Sequence, residues 1–331
     1  MDVPAVPLSL VPDHHHPDTP FLNAMAIAER QHGVISGHQA RCAGLSHSDL
    51  RGLKRNGTLG HPYTGVYSVR SLVDRSDTDG FLRTSVMAAQ LALGPRSFAG
   101  AQTAAHLWGM QGLPRWDGHT VHMVVPGPGT KRHRHRITLH TWEIGTGEIT
   151  ALDGPLRLTT PGRSLRDTFL DVDRETAVCL MDSALNQALV RTEDLEALAL
   201  ANRHRKGCVR TYPWWFLADS RAESPLETRV RLACTDAGFP PTSLQHPFVD
   251  DAGRLIAVAD LWWEDLRLIG EADGLGPHSR PEALARDRTR QNALQLHYPG
   301  VRIVRFTWQD LARPAYITSV LVRAAGRGCQ C

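Results

Sequence analysis

Apolar and polar positions along the chain change period several times. Between Phe21 and Val69 three stretches with helical spacing, NAMAIAERQH, SGHQARCAG and SHSDLRGLKRNG, precede TLGHPYTGVYSV, where alternation predicts a pair of strands. Ser46 with Asp49 three residues later forms a capping box and Gly57 a stop, so the third helix spans 46–57 and turns Leu50 and Leu53 inward. Further on, FLRTSVMAAQLALG and SFAGAQTAAHLWGM predict helices. VHMVVP and ITLHTW predict strands, and SLRDTFLDV through the 175–201 segment predicts helices again. The last hundred residues predict the order helix, three strands, helix, strand, helix. They begin at Ser224-Pro225 with Glu227 as a second capping box, and the first of these helices stops at Gly238.

These elements divide the chain into a multidomain α/β (α+β) protein. Residues 1–20 are proline-rich and aperiodic, a disordered tail whose three histidines (His14, His15, His16) are solvated. Residues 21–75 have the element order of a winged helix-turn-helix, 81–210 form a mixed α/β middle domain, and 221–331 an α/β sandwich on an open mixed sheet. The stretch 201–223, with Tyr212, Pro213, Trp214 and Trp215, is expected to be a hinge.

Composition narrows the class without naming a function. A chain of 331 residues with 42% hydrophobic and 21% charged positions is an ordinary globular protein of two or three domains. Its six scattered cysteines show neither a C-x-x-C pair nor zinc spacing, which implies reduced thiols. The N-terminus lacks a basic start followed by an apolar core, and no stretch of 18 apolar residues occurs, so the expected location is cytoplasmic.

Net charge is only +3, yet the charge is uneven. Residues 21–70 carry six Lys/Arg against Glu29 and Asp49, a local +4. The third helix offers His47, Ser48, Arg51, Lys54 and Arg55 outside its apolar face, a surface suited to a phosphate backbone; a merely solvated face is the alternative. The run Lys131–Arg136, expected in a loop or hairpin, has the same two readings.

Near the C-terminus the charged pattern is acidic. Ile269, Glu271 and Asp273 alternate onto one strand face, and Asp260, at the end of the preceding strand, lies beside them. Close carboxylates repel one another, and hard oxygen donors suit Mg²⁺, or Mn²⁺ in its place. Acidic hairpin ends are the alternative reading. Trp262, Trp263 and Trp308 suit base stacking or, more simply, a core.

Two resemblances follow from these residues. QHGVISGHQARCAGLSHSDLRGLKRNGTLGHPYTGVYSV, GAQTAAHLWGMQGLP and DGPLRLTTPGRSLRDTF resemble the type IV abortive-infection (AbiEi-like) antitoxins across residues 21–170. That resemblance implies DNA binding by the winged helix, autorepression and a cognate toxin. Gly100-Ala101-Gln102-Thr103-Ala104-Ala105 departs from the Ser-His-x-Ser-Ala-Ala usual there.

SPLETRV, VADLWWEDLRLIGEADG, His278 and ARDRTRQNALQLHYPGVRIVRFTWQDL resemble the very-short-patch-repair-like branch of the PD-(D/E)xK nucleases. This second resemblance implies a restriction-endonuclease-like fold with Asp260 and Glu271 as metal ligands, the Ala272 carbonyl beside them, and Glu227 acting through a water. The usual lysine of that family is Asp273 here, and no lysine follows position 206, so His278 and Arg290 are the expected replacements. A loop histidine and an Arg290–Asp287 helix pair are the plainer readings of those two. The sequence therefore leaves two functions open: a metal-dependent DNA endonuclease, or a DNA-binding regulator with an inert nuclease fold. A homodimer on paired half-sites fits either.

Overall fold

A computed structural model describes residues 19–127, 135–274 and 281–326, with the side chains of 281–287 left out. In chain order the elements begin α1 (Thr19–Glu29), β1 (Val34–Ser36), α2 (Gly37–Cys42), α3 (His47–Arg55), β2 (Leu59–Tyr63) and β3 (Val66–Val69). There follow α4 (Thr78–Leu93), β4 (Phe98–Ala99), α5 (Ala101–Leu107), β5 (Val121–Val124), β6 (Ile137–His140), β7 (Ile149–Leu152) and β8 (Leu156–Thr159). Helices α6 (Pro161–Phe169), α7 (Arg174–Asn186), α8 (Leu195–Leu200) and α9 (Cys208–Thr211) come next. The chain ends with α10 (Pro225–Asp236), β9 (Ser243–Val249), β10 (Leu255–Trp263), β11 (Leu268–Ala272), α11 (Pro281–His297), β12 (Arg302–Phe306), α12 (Trp308–Leu311) and α13 (Pro314–Gly326). The class is mixed α and β, with three sheets among the described residues.

The chain divides into two compact units. One combines residues 1–99 with 116–158, and the other 100–115 with 159–331. The region expected as one middle domain is thus shared out: β4 to β8 build a sheet in the first unit, whereas α5 to α9 belong to the second.

In the first unit, α1, α2 and α3 pack around Ala28, Ile35, Ala40, Leu50 and Leu59, against the sheet β1-β3-β2. Both helix starts are fixed locally. Ser46 and Asp49 form the expected reciprocal cap on α3, and Ser36 with Gln39 does the same for α2. Gly57, at φ +83°, turns the chain from α3 toward β2, a conformation that favours glycine.

The five-stranded sheet runs β6-β5-β4-β8-β7. Strands β5 and β6 pair in parallel, Val121 with Ile137, so no hairpin joins them. A connection across 125–136 takes its place, as parallel pairing requires. Of the basic run, Lys131–Arg134 lie outside the described residues.

In the second unit, Phe169, Val178, Leu180, Met181 and Leu232 form one core. Trp215 joins it, 3% exposed and stacked on Phe169 with ring centroids 4.2 Å apart. The expected hinge at 201–223 is therefore packed structure, because its aromatic residues find an apolar partner surface on α6 and α7. Residues 224–326 keep the expected order, with α12 added. Their sheet is β12-β11-β10-β9, parallel only between β11 and β12. Leu226, Val230, Ile317 and Leu321 of α10 and α13 share a core with strand residues Leu261, Trp263, Leu268 and Phe306. Leu294 of α11 packs in a second core with Phe248, Trp262 and Ile269.

Candidate functional site

Strand register gathers the C-terminal site. In the β9–β10 pair, His246 faces Ala259 and Leu244 faces Leu261, which sets Gln245 opposite Asp260. Leu261 faces Gly270 in the next pair, so one step further along brings Asp260 opposite Glu271. Glu271 in turn faces Arg305 across the parallel β11–β12 pair. Gln245, Asp260, Glu271 and Arg305 thus form one row across four strands.

Two further side chains complete the site. Glu227, buried in the first turn of α10, accepts hydrogen bonds from the Glu223 amide (2.9 Å), the Ser224 hydroxyl (2.8 Å) and Gln245 Nε2 (2.9 Å). Gln245 makes its bond from an uncommon left-handed backbone, φ +49°. Arg290 on α11 reaches Glu271 Oε1, while Arg305 Nε lies 2.8 Å from Oε2. Both oxygens of this buried carboxylate therefore meet a guanidinium.

Among the described residues no cation is in contact with Asp260. Its Oδ2 accepts the Ala272 amide at 2.8 Å. Burial, opposed by that bond, and then the nearby charges of Glu227 and Glu271 push its carboxyl up to about 6. Gly270 makes room for this layout: a Cβ there would stand 2.8 Å from the Trp263 ring, which lies over the backbone beside Glu271.

The expected residues separate into three groups. Glu227, Asp260, Glu271 and Arg290 come together. Asp273 sits past the end of β11, where Arg305 Nε is 3.6 Å away. His278 lies outside the described residues, as does the Asp287 side chain. Asp260 sits inside β10 instead of ending it, because β10 continues through Trp262 and Trp263 into the core. Among the described residues, no three His, Cys, Asp or Glu side chains gather as a ready metal cluster. The expected trio of Asp260, Glu271 and Asp273 is instead divided by Arg290 and Arg305, which hold Glu271. Trp262 and Trp263 are buried core residues, and Trp308 is 43% exposed.

Two members went unread in the sequence. The alternation of RIVRF places Ile303 and Arg305 on one face, and that pattern could have signalled Arg305. Gln245 carries no such signal, because its turned backbone breaks the alternation. Each arginine also borders open space: Arg305 lines a cavity of about 460 Å³ with Gln291 and Gln295, and Arg290 one of about 580 Å³ with Thr289 and Ile256.

On α3 all five expected residues, His47, Ser48, Arg51, Lys54 and Arg55, are exposed, while Leu50 is buried and Leu53 packs partly into the core. Among the described residues Arg51, Lys54 and Arg55 have no carboxylate partner, so their charge faces solvent.

No family model matches the chain. It is similar to two uncharacterized proteins of Mycobacterium tuberculosis, from strains CDC 1551 / Oshkosh and ATCC 25618 / H37Rv. Each is 28% identical over 274 residues, covering 82% of this chain and 94% of the relative. The match is longer than either compact unit, so it takes in residues of both.

Proposed function

We propose that the chain is a DNA-binding protein whose first unit grips the duplex through a winged helix and whose second carries a metal-dependent phosphodiesterase centre on a restriction-endonuclease-like sheet. The observation carrying this reading is the row Gln245–Asp260–Glu271–Arg305 completed by Glu227 and Arg290. Fold stability alone gives little reason to keep Asp260 half-buried, without a cation in contact among the described residues, and next to two more carboxylates.

The donor set fits a divalent cation in part. Asp260 and Glu271 offer the hard oxygens Mg²⁺ or Mn²⁺ prefers, and the resemblance adds the Ala272 carbonyl. When bound, such an ion supplies an activated water and stabilises the departing oxyanion. The protein's own part is to free Glu271. Arg290 and Arg305 each border a cavity, and a phosphodiester entering there competes with the carboxylate for their paired N–H groups. Glu227, held by Gln245 and Ser224, stands close enough to Asp260 to raise that carboxyl.

A second reading is a regulator of the antitoxin type, acting in the cytoplasm as a homodimer with a cognate toxin. Closure of both Glu271 oxygens by arginine and the presence of Asp273 at the usual lysine position favour it. Cys42, Cys179, Cys208 and Cys234 are free thiols, which suits a reducing compartment in either case.

Supercoiled and branched DNA incubated with the wild type and Asp260→Ala, in Mg²⁺, Mn²⁺ or EDTA, separates the readings. Nicking that needs the metal and disappears in the variant is the expected result. Tight binding with no nicking under any condition overturns the enzyme in favour of the regulator.

A further inference from the structure

Within the first unit a second basic feature stands apart from α3. A cleft of about 700 Å³ runs beside β2, β3 and α4, lined by Arg70, Arg75, Arg136, His61, His119 and His135. Among the described residues no carboxylate lines it. The nearby ones are used locally: Asp74 accepts from Ser76, Asp77 from the amides of Asp79 and Gly80, and Asp117 from those of His119 and Thr120. Among the described residues none of the three arginines has an ion-pair partner.

The cleft also has an apolar wall. Phe81 carries the Arg75 guanidinium 4.9 Å above its ring centroid and stands 5.6 Å from Trp116, and Val73 adjoins it. Guanidinium groups without acidic partners select phosphate, and the apolar wall suits a sugar and base; the volume lies within the usual range for small-ligand sites.

We infer that this cleft binds a nucleotide unit, phosphate on Arg70 and Arg136 and base toward Phe81, as a site separate from the α3 surface. Two sources offer that chemistry, a free nucleotide and a single nucleic-acid strand. The inference needs no catalysis in the second unit and no duplex on α3.

Fluorescence anisotropy on the full chain tests it with three probes: a labelled single-stranded oligonucleotide, labelled ATP and a labelled duplex. The proteins are the wild type, Arg70→Glu/Arg136→Glu and Arg51→Ala/Lys54→Ala, each checked for an unchanged melting temperature. The cleft variant is expected to lose at least about tenfold in affinity for the strand or for ATP, while the α3 variant keeps that binding. If the source is a strand, a matching Arg70→Ala/Arg136→Ala variant makes the log–log salt slope less negative by about 1.4, the loss of two phosphate contacts. If ATP binds and displaces the strand, the source is the free nucleotide. Wild type that binds neither probe, or a cleft variant that weakens the duplex alone, overturns the proposal.

Discussion

Several arginines of the two compact units are used in opposite ways, although Arg83 of the first pairs with Asp153. On the first, Arg51, Arg55, Arg70 and Arg136 are exposed, with no carboxylate in reach among the described residues. In the second, Arg163 and Arg205 meet the fully buried Asp167 at 2.7 and 2.5 Å, Arg231 meets Asp182 at 2.7 Å, and Arg290 and Arg305 hold Glu271. A net charge of +3 for the whole chain conceals this contrast. What decides whether a basic residue stays open to solvent or braces the fold is the acid its backbone places nearby.

The sharpest way to break the contrast is to remove an acid from the second unit. Asp167→Ala takes an ion-pair partner from Arg163, which is only 5% exposed, and from Arg205. The expected cost is about 3–5 kcal/mol, measured by urea denaturation. A loss below about 1 kcal/mol would show that these pairs brace the fold no more than an exposed ion pair does.

The reverse change, on the first unit, should leave stability alone. Arg51→Ala/Lys54→Ala is expected to weaken duplex binding about tenfold or more, and to make the salt slope less negative by about 1.8. Stability should stay within about 0.5 kcal/mol. Equal binding by the double variant would remove α3 from the interface.

The smallest effect falls on Asp260, which no arginine touches among the described residues. Its folded-state carboxyl is raised to about 6 from 3.8, so ionisation opposes folding above pH 6 and that penalty fades as pH falls through the same interval. Asp260→Asn can still accept the Ala272 amide. It is expected to gain about 1 kcal/mol at pH 8, less than the shift's full worth because solvent reaches the half-buried group. Thermal melts at pH 8 and pH 4 check the sign, since an equal gain at both would mean that charge is not the cause.

How much of this was legible in the sequence varies by element. Helix α3 was readable end to end, because Ser46, Asp49 and Gly57 act over three or four residues. The C-terminal element order was readable for the same reason, since alternation and caps are local. Strand partners were not. The parallel pairing of β5 with β6 depends on contacts made across an intervening connection, and the division of residues 81–210 between two units depends on which surfaces meet. In the candidate site, Asp260, Glu271 and Glu227 stood out as acids in apolar strands or at a cap. Closure of Glu271 by Arg290 and Arg305 did not, because it requires β12 to lie beside β11 and α11 to lie on their face.

Packing of Trp215 on Phe169, and of Leu232 in that same core, governs how the molecule can be dissected. A fragment beginning at residue 221 would carry the whole row of site residues, yet Leu232 would face water and Arg231 would lose Asp182. Such a fragment is expected to aggregate, so a cut that preserves the second unit must fall before α6, near residue 159, with the 100–115 segment supplied as well.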